Sequence, residues 1–254
     1  MPITSNHLGT DVERIPFKMA VGLGYFKKME TFRKFGMNPD LDAGTEEVWP
    51  LGTVKTLPTS AAVISIVSDD AADTAAGTGG RTIHIRGLDA NYNQIEETVT
   101  LNGLTPVVTT QLFLRVNFMW VVTAGSGQVN AGNITGSIGG NPQIYVEAEE
   151  GACHCTGYCV PAEHVLYLEH LHVTTGRIGN ADTAIRFQVK ASDADASWQT
   201  QSDTFPYETS MDLVGIYVVP EKTDIRVLAV TTATNSNVAV EYDGFLIDLS
   251  KDLM

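Results

Sequence analysis

Residues 80–103 read GRTIHIRGLDANYNQIEETVTLNG, and this stretch decides the fold. Ile83 and Ile85 alternate with Thr82, His84 and Arg86, the period-two pattern of a strand with one buried face. Residues 87–93 carry Gly, Asp and Asn, the chemistry of a connection. Ile95, Glu97, Val99 and Leu101 then share a face, with Thr98 and Thr100 opposite. Asn102-Gly103 is a strong turn signal. The reading is a β-hairpin, and nothing in it is catalytic.

The same pattern recurs on both sides. Residues 61–67 read as a strand. So do residues 111–123, with Leu112, Leu114, Val116, Phe118, Trp120 and Val122 on one face. Further on, Val165, Tyr167, Leu171 and Val173 are assigned to one strand face, and His164, His170 and His172 to another. Ile185, Phe187 and Val189 alternate with Arg186, Gln188 and Lys190. Short strands without a βαβ rhythm predict an all-β chain with two antiparallel, jelly-roll-like sandwiches. The expected division is an N-terminal arm over 1–36, a first β-domain over 37–149 and a second over 150–254. The polar run 147–151 is the expected junction. Within the arm, Pro16 keeps Ile15 extended, and residues 25–35 predict a short basic amphipathic helix.

The chain has 254 residues and a net charge of −14, which disfavours bulk attraction to nucleic acid or an anionic membrane. No window is long and apolar enough for a transmembrane helix, and no signal-peptide pattern is expected. Residues 1–36 run against the overall charge, with six basic side chains to three acidic. A basic arm on an acidic body is expected of a subunit that docks on a larger assembly; a solvated basic helix is the alternative.

The sharpest chemical candidate is Cys153, Cys155 and Cys159 with His164, types that ligate zinc. Their C-x-C-x3-C spacing is unlike paired zinc knuckles, so the expectation is no metal site: buried or semi-exposed thiols at a strand start and a His-bearing strand face. Asp193, Asp195 and Ser197 echo a calcium loop but lack its glycine and closing glutamate. Asp69, Asp70 and Asp73 read as a solvated acidic loop. No nucleophile or acid/base set emerges, so neither an enzyme nor a cofactor is expected.

The hairpin segment resembles the core signature of a family of tailed-bacteriophage virion structural proteins, of the type found in marine and freshwater phages. KFGMNPDLDAGTEEVW (34–49), NFMWVVTAGSGQVNAGNI (117–134) and PEKTDIRV (220–227) are similar to further family segments. CVPAEHVLYL (159–168) resembles a VPAG-x-x-x-Y-L pattern, with Ala162-Glu163 where that pattern has Ala-Gly. The resemblance implies a non-enzymatic virion protein assembled in the host bacterial cytoplasm. Its favoured role is capsid decoration or cement, as a homo-oligomer, trimer favoured, bound to the major capsid protein or other virion subunits. Charge contrast and apolar anchors select Arg14, Pro16, Phe17, Lys27 and Lys28 as arm contacts. A tail, neck or baseplate component is the alternative. A carbohydrate-binding module, using Trp198, Phe205 and Tyr207 as a platform, is a third.

Overall fold

The structure is a computed structural model that describes residues 15–176, 183–193, 195–204, 210–232 and 234–250. A short helix α1 (Phe17–Gly22) follows Pro16 at φ −54°, a start that proline's fixed φ and missing N–H favour. Two strands come next, β1 (Met29–Leu41) and β2 (Gly44–Glu47). A long excursion then forms β3 (Ser65–Ser68), β4 (Gly80–Leu88), β5 (Gln94–Thr100), β6 (Val107–Val108), β7 (Arg115–Ala124), β8 (Ile134–Ile138) and β9 (Asn141–Val146). The chain returns through β10 (Tyr158–Cys159) and β11 (His164–Gly176). It finishes with β12 (Thr183–Ala191), β13 (Gln199–Thr204), β14 (Ser210–Val219), β15 (Thr223–Thr231) and β16 (Ser236–Asp248).

The strand pairings are nested. β1 pairs β16, β2 and β10 both pair β15, β11 pairs β14, and β12 pairs β13, all antiparallel. This is one long hairpin, folded at β12–β13 and rolled into two sheets, β1-β16-β11-β14 and β10-β15-β12-β13 with β2 on the same edge of β15. Such a roll is a jelly roll. Its core includes Phe32, Leu41, Leu166, Val173, Phe187, Val227, Val240 and Tyr242.

The excursion makes the second sandwich, from sheets β6-β3-β8-β9 and β5-β4-β7. Ile83 and Ile85 are fully buried there beside Ile66, Phe113, Met119 and Ile144, and each such side chain contributes about 1.5–3 kcal/mol. The hairpin read from residues 80–103 is present as β4 and β5, with Asp89 Oδ1 accepting from Asn91 N at 2.8 Å and Asn93 N at 2.9 Å in the turn. Gly87 lies inside β4, where a Cβ would collide with the Arg115 carbonyl of β7.

Several expectations are corrected. Residues 25–35 are not a helix. Phe32 and Lys34 face inward with period two inside β1, so the arm boundary at 36 cuts a core strand. The division at 149/150 also fails. One sandwich comprises roughly 29–47 with 158–248, and the other is inserted between β2 and β10. The run 147–151 is a turn within the insert, held by Asn130 Oδ1 accepting from Gly151 N at 2.9 Å. Finally, a β-bulge at Glu169 shifts the register of β11 against both neighbours. Before it, Leu166 and Leu168 are buried; after it, Val173 and Thr175 are. The bulge therefore switches parity. His164 is on the opposite face from His170 and His172, and Val165 and Tyr167 are on the opposite face from Leu171 and Val173.

Asp73 is not solvated but fully buried. It accepts from Ser68 Oγ (2.6 Å), Gly80 N (2.6 Å), Ala131 N (2.7 Å) and Gly132 N (2.9 Å), tying the 69–80 loop to the 130–133 turn. Asp73→Ala strands three backbone donors away from water. It is expected to cost about 3 kcal/mol or more and to lower the melting temperature by roughly 6–12 °C, measured by circular dichroism.

Candidate functional site: the polar joint between the sandwiches

The chain leaves the jelly roll after β2 and re-enters at β10, and both short strands lie on one edge of β15. Glu47 opposes Leu228 and Tyr158 opposes Ile225, so the two crossing points are about 10 Å apart at strand spacing. Polar side chains from β7 read this edge. Asn117 Nδ2 donates to the Cys159 carbonyl and Asn117 Oδ1 accepts from Cys159 N, both at 2.9 Å. A side-chain amide thus supplies the ladder contacts of a missing strand. Arg115 Nε and Nη2 donate to the two Asp224 oxygens at 2.7 and 2.9 Å, and Arg115 Nη1 donates to the Pro58 carbonyl at 2.7 Å. The pair is largely buried, its side chains 12% and 5% exposed. Val48 N donates to the Val227 carbonyl at 2.9 Å and Met37 N to the His154 carbonyl at 3.2 Å.

A second buried group lies beside this. Lys34 points inward from β1, donates to the Asn117 carbonyl and lies 4.0 Å over the Phe118 ring. Burial lowers its pKa, and the facing Cys153 and Cys155 oppose that shift. Burial would also depress Lys55. The Glu47 carboxylate at 3.3 Å and the two thiols outweigh it, and the Lys55 pKa is raised. Cys153 is drawn down to about 5, chiefly by a hydrogen bond from the Cys155 thiol, against burial and with help from the Lys34 and Lys55 charges. Burial, together with that same hydrogen bond, pushes Cys155 well up. Two thiols pushed in opposite directions thus share this pocket with two lysines. The adjoining cleft, lined by Lys55, Arg115, Trp198 and Arg226, leaves about 30 Å³, space for about two waters.

The four residues weighed for zinc do not converge. Cys153 Sγ accepts from Met119 N at 3.4 Å, and the Cys155 thiol faces the Tyr145 carbonyl at 3.9 Å. Cys159 is near Asp224 and Arg115. His164 Nδ1 is 2.8 Å from the Ala162 carbonyl. The three-ligand cluster found among the described residues is a different one, Glu169, His170 and Asp243. Only the bulge creates it, and even His spacing gave no sign of that. Among the arm contacts, Pro16 and Lys27 are exposed and Lys28 is half-buried. Phe17 is 41% exposed, with its ring 5.1 Å from Phe245. Arg14 lies outside the described residues. Trp198 is covered by the Arg226 guanidinium at 3.9 Å. Phe205 and Tyr207 lie outside the described residues.

No protein-family model matches the chain, and no curated protein sequence matches it. Among solved structures it is similar to that of infectious bursal disease virus, Gx strain: 10% identity, TM-score 0.26, covering 89% of this chain and 74% of that one. A VP2 subviral particle of the same virus gives 8% identity, TM-score 0.20 and coverages of 88% and 77%. A vicilin from Solanum melongena gives 9%, 0.13, 90% and 77%. At these TM-scores the likeness fixes neither fold nor role.

Removing one partner of the joint's ion pair leaves the other charge buried. Arg115→Ala or Asp224→Asn is expected to cost about 3–5 kcal/mol, and the double variant less than the sum, read from urea unfolding of all three. For Cys153, the folded pKa lies below the thiol's ordinary value of 9.0. The unfolded chain therefore binds more protons across this window, so stability rises with pH from about 5 to 9 and is lost as pH falls through 5. The lowered Lys34 pKa acts with the same sign below its ordinary 10.5. Thiolate absorbance at 240 nm should titrate with a midpoint near 5 and vanish in Cys153→Ser.

Proposed function

We propose that this chain is a structural protein of a tailed-bacteriophage virion, a decoration subunit that binds the capsid lattice. The observation that carries the reading is the described part of the arm, residues 15–28, lying on the outer face of the jelly roll. Phe17 anchors it on Phe245 and Phe26. Met19, Leu23 and Tyr25 stand 58%, 57% and 55% exposed, next to exposed Lys27. An apolar strip edged by cations is the composition of a protein-binding patch, and the acidic body keeps it from being general stickiness. The jelly roll with a rigidly joined insert supports the same reading, because a cement subunit bridges neighbours at fixed spacing. The chemistry at the joint is consumed in holding the two sandwiches together, which supports a non-enzymatic role. Weak single contacts repeated over a lattice, in oligomers such as trimers, add up through multivalency.

Two measurements test this. Quantitative mass spectrometry of purified virions should give copies in a simple ratio to the major capsid protein; a handful of copies overturns decoration in favour of a tail or neck part. Met19→Asp with Leu23→Asp, or Lys27→Glu, should weaken binding of the full chain to undecorated capsids about tenfold or more. Unchanged binding would remove the arm from the interface.

A further inference from the structure

The bulge in β11 turns two consecutive side chains, Glu169 and His170, to the outer face of the sheet, where Asp243 of β16 lies opposite His170. Their ligand atoms all lie within 4.8 Å of one another, and the side chains are 27%, 35% and 33% exposed, open to an ion from solvent. A cation already occupies the centre. Lys18 of α1 places Nζ 2.9 Å from Glu169 Oε2, 3.3 Å from Asp243 Oδ1 and 3.3 Å from His170 Nδ1. Glu169 Oε2 is shielded from solvent and accepts no aligned hydrogen bond; its contact is that ammonium. The next cation along the face, Arg33, is bound by Glu241 at 2.6 Å through both Nε and Nη2, so its charge is already met.

We propose that Glu169, His170 and Asp243 form a site for a divalent transition metal of the zinc class, and that the Lys18 ammonium is its built-in competitor. One imidazole and two carboxylates suit zinc, whose bonds to such ligands are about 2.0–2.2 Å. The imidazole selects against magnesium and calcium, which take oxygen ligands. Closing from the present 2.9–3.3 Å contacts to metal bonds requires side-chain shifts of about 1 Å and the departure of Lys18. Metal therefore enters only as the lysine leaves, and the grip of α1 on the sheet falls to its apolar side chains, Phe17 against Phe245 and the buried Val21. Binding of metal and seating of the arm are reciprocally linked.

The test uses the full chain and zinc alone. Isothermal titration should give about one zinc per chain. Lys18→Met should raise the affinity about tenfold, because the site is no longer occupied by its own lysine. Glu169→Gln and His170→Ala should abolish binding, with folding checked by circular dichroism. Cobalt(II) should give visible absorption bands that His170→Ala removes. In the wild type, zinc should quicken tryptic cleavage at Lys18. Binding that survives both Glu169→Gln and His170→Ala, or a folded Lys18→Met protein that binds no zinc, overturns the site. Zinc binding without change at Lys18, in affinity or cleavage, overturns the competition.

Discussion

Everything in this molecule depends on one shared strand edge. The jelly roll closes only if something pairs with the flank of β15, and the chain supplies two short pieces, β2 and β10, separated by a whole second sandwich. Neither piece is long enough to hold alone. The joint therefore needs help from outside the ladder, and Asn117 and Arg115 of β7 provide it by bonding to the backbone of Cys159 and the carboxylate of Asp224. The insert is thus part of the fold of its host.

The help is polar for a reason. An apolar contact between sandwiches would permit sliding, because dispersion and burial are weakly directional. A bidentate guanidinium–carboxylate pair and a two-way amide clamp fix both distance and angle. The same logic explains Lys34, a cation within a core strand. Its ammonium meets a carbonyl, an aromatic face and the field of the Cys153 sulfur, and each is on the insert side of the joint.

The local structure was largely legible in the sequence. Ile83, Ile85, Ile95 and Val99 take the faces their alternation predicts, and so do Ile185, Phe187 and Val189. Two kinds of information were not legible. Lys34 and Asn38 face inward in β1, so a core strand looked like a basic helix; the partners that neutralise their polarity are distant in sequence. Topology was the second. Insertion between β2 and β10 leaves no local mark, since a chain that departs and returns looks the same as one that moves on. The cation cluster joins both failures. Even spacing of His164, His170 and His172 hid a bulge that only the register with β14 and β16 reveals, and Asp243 comes from another strand. For Asp73 the acidic composition pointed outward, while four donors hold it inside.

The layout of β15 also determines how the molecule carries load. The excursion departs opposite Leu228 and returns opposite Ile225, so both ends meet near the middle of that strand. A pull on the insert does not shear β2 and β10 along their lengths; it opens them from the centre outward, one ladder bond at a time, which is the weaker direction for any β-edge. The Asn117 and Arg115 contacts grip the next pair outward, Cys159 and Asp224, at the far end of β10. They act as stops one step beyond the point where a tear would start.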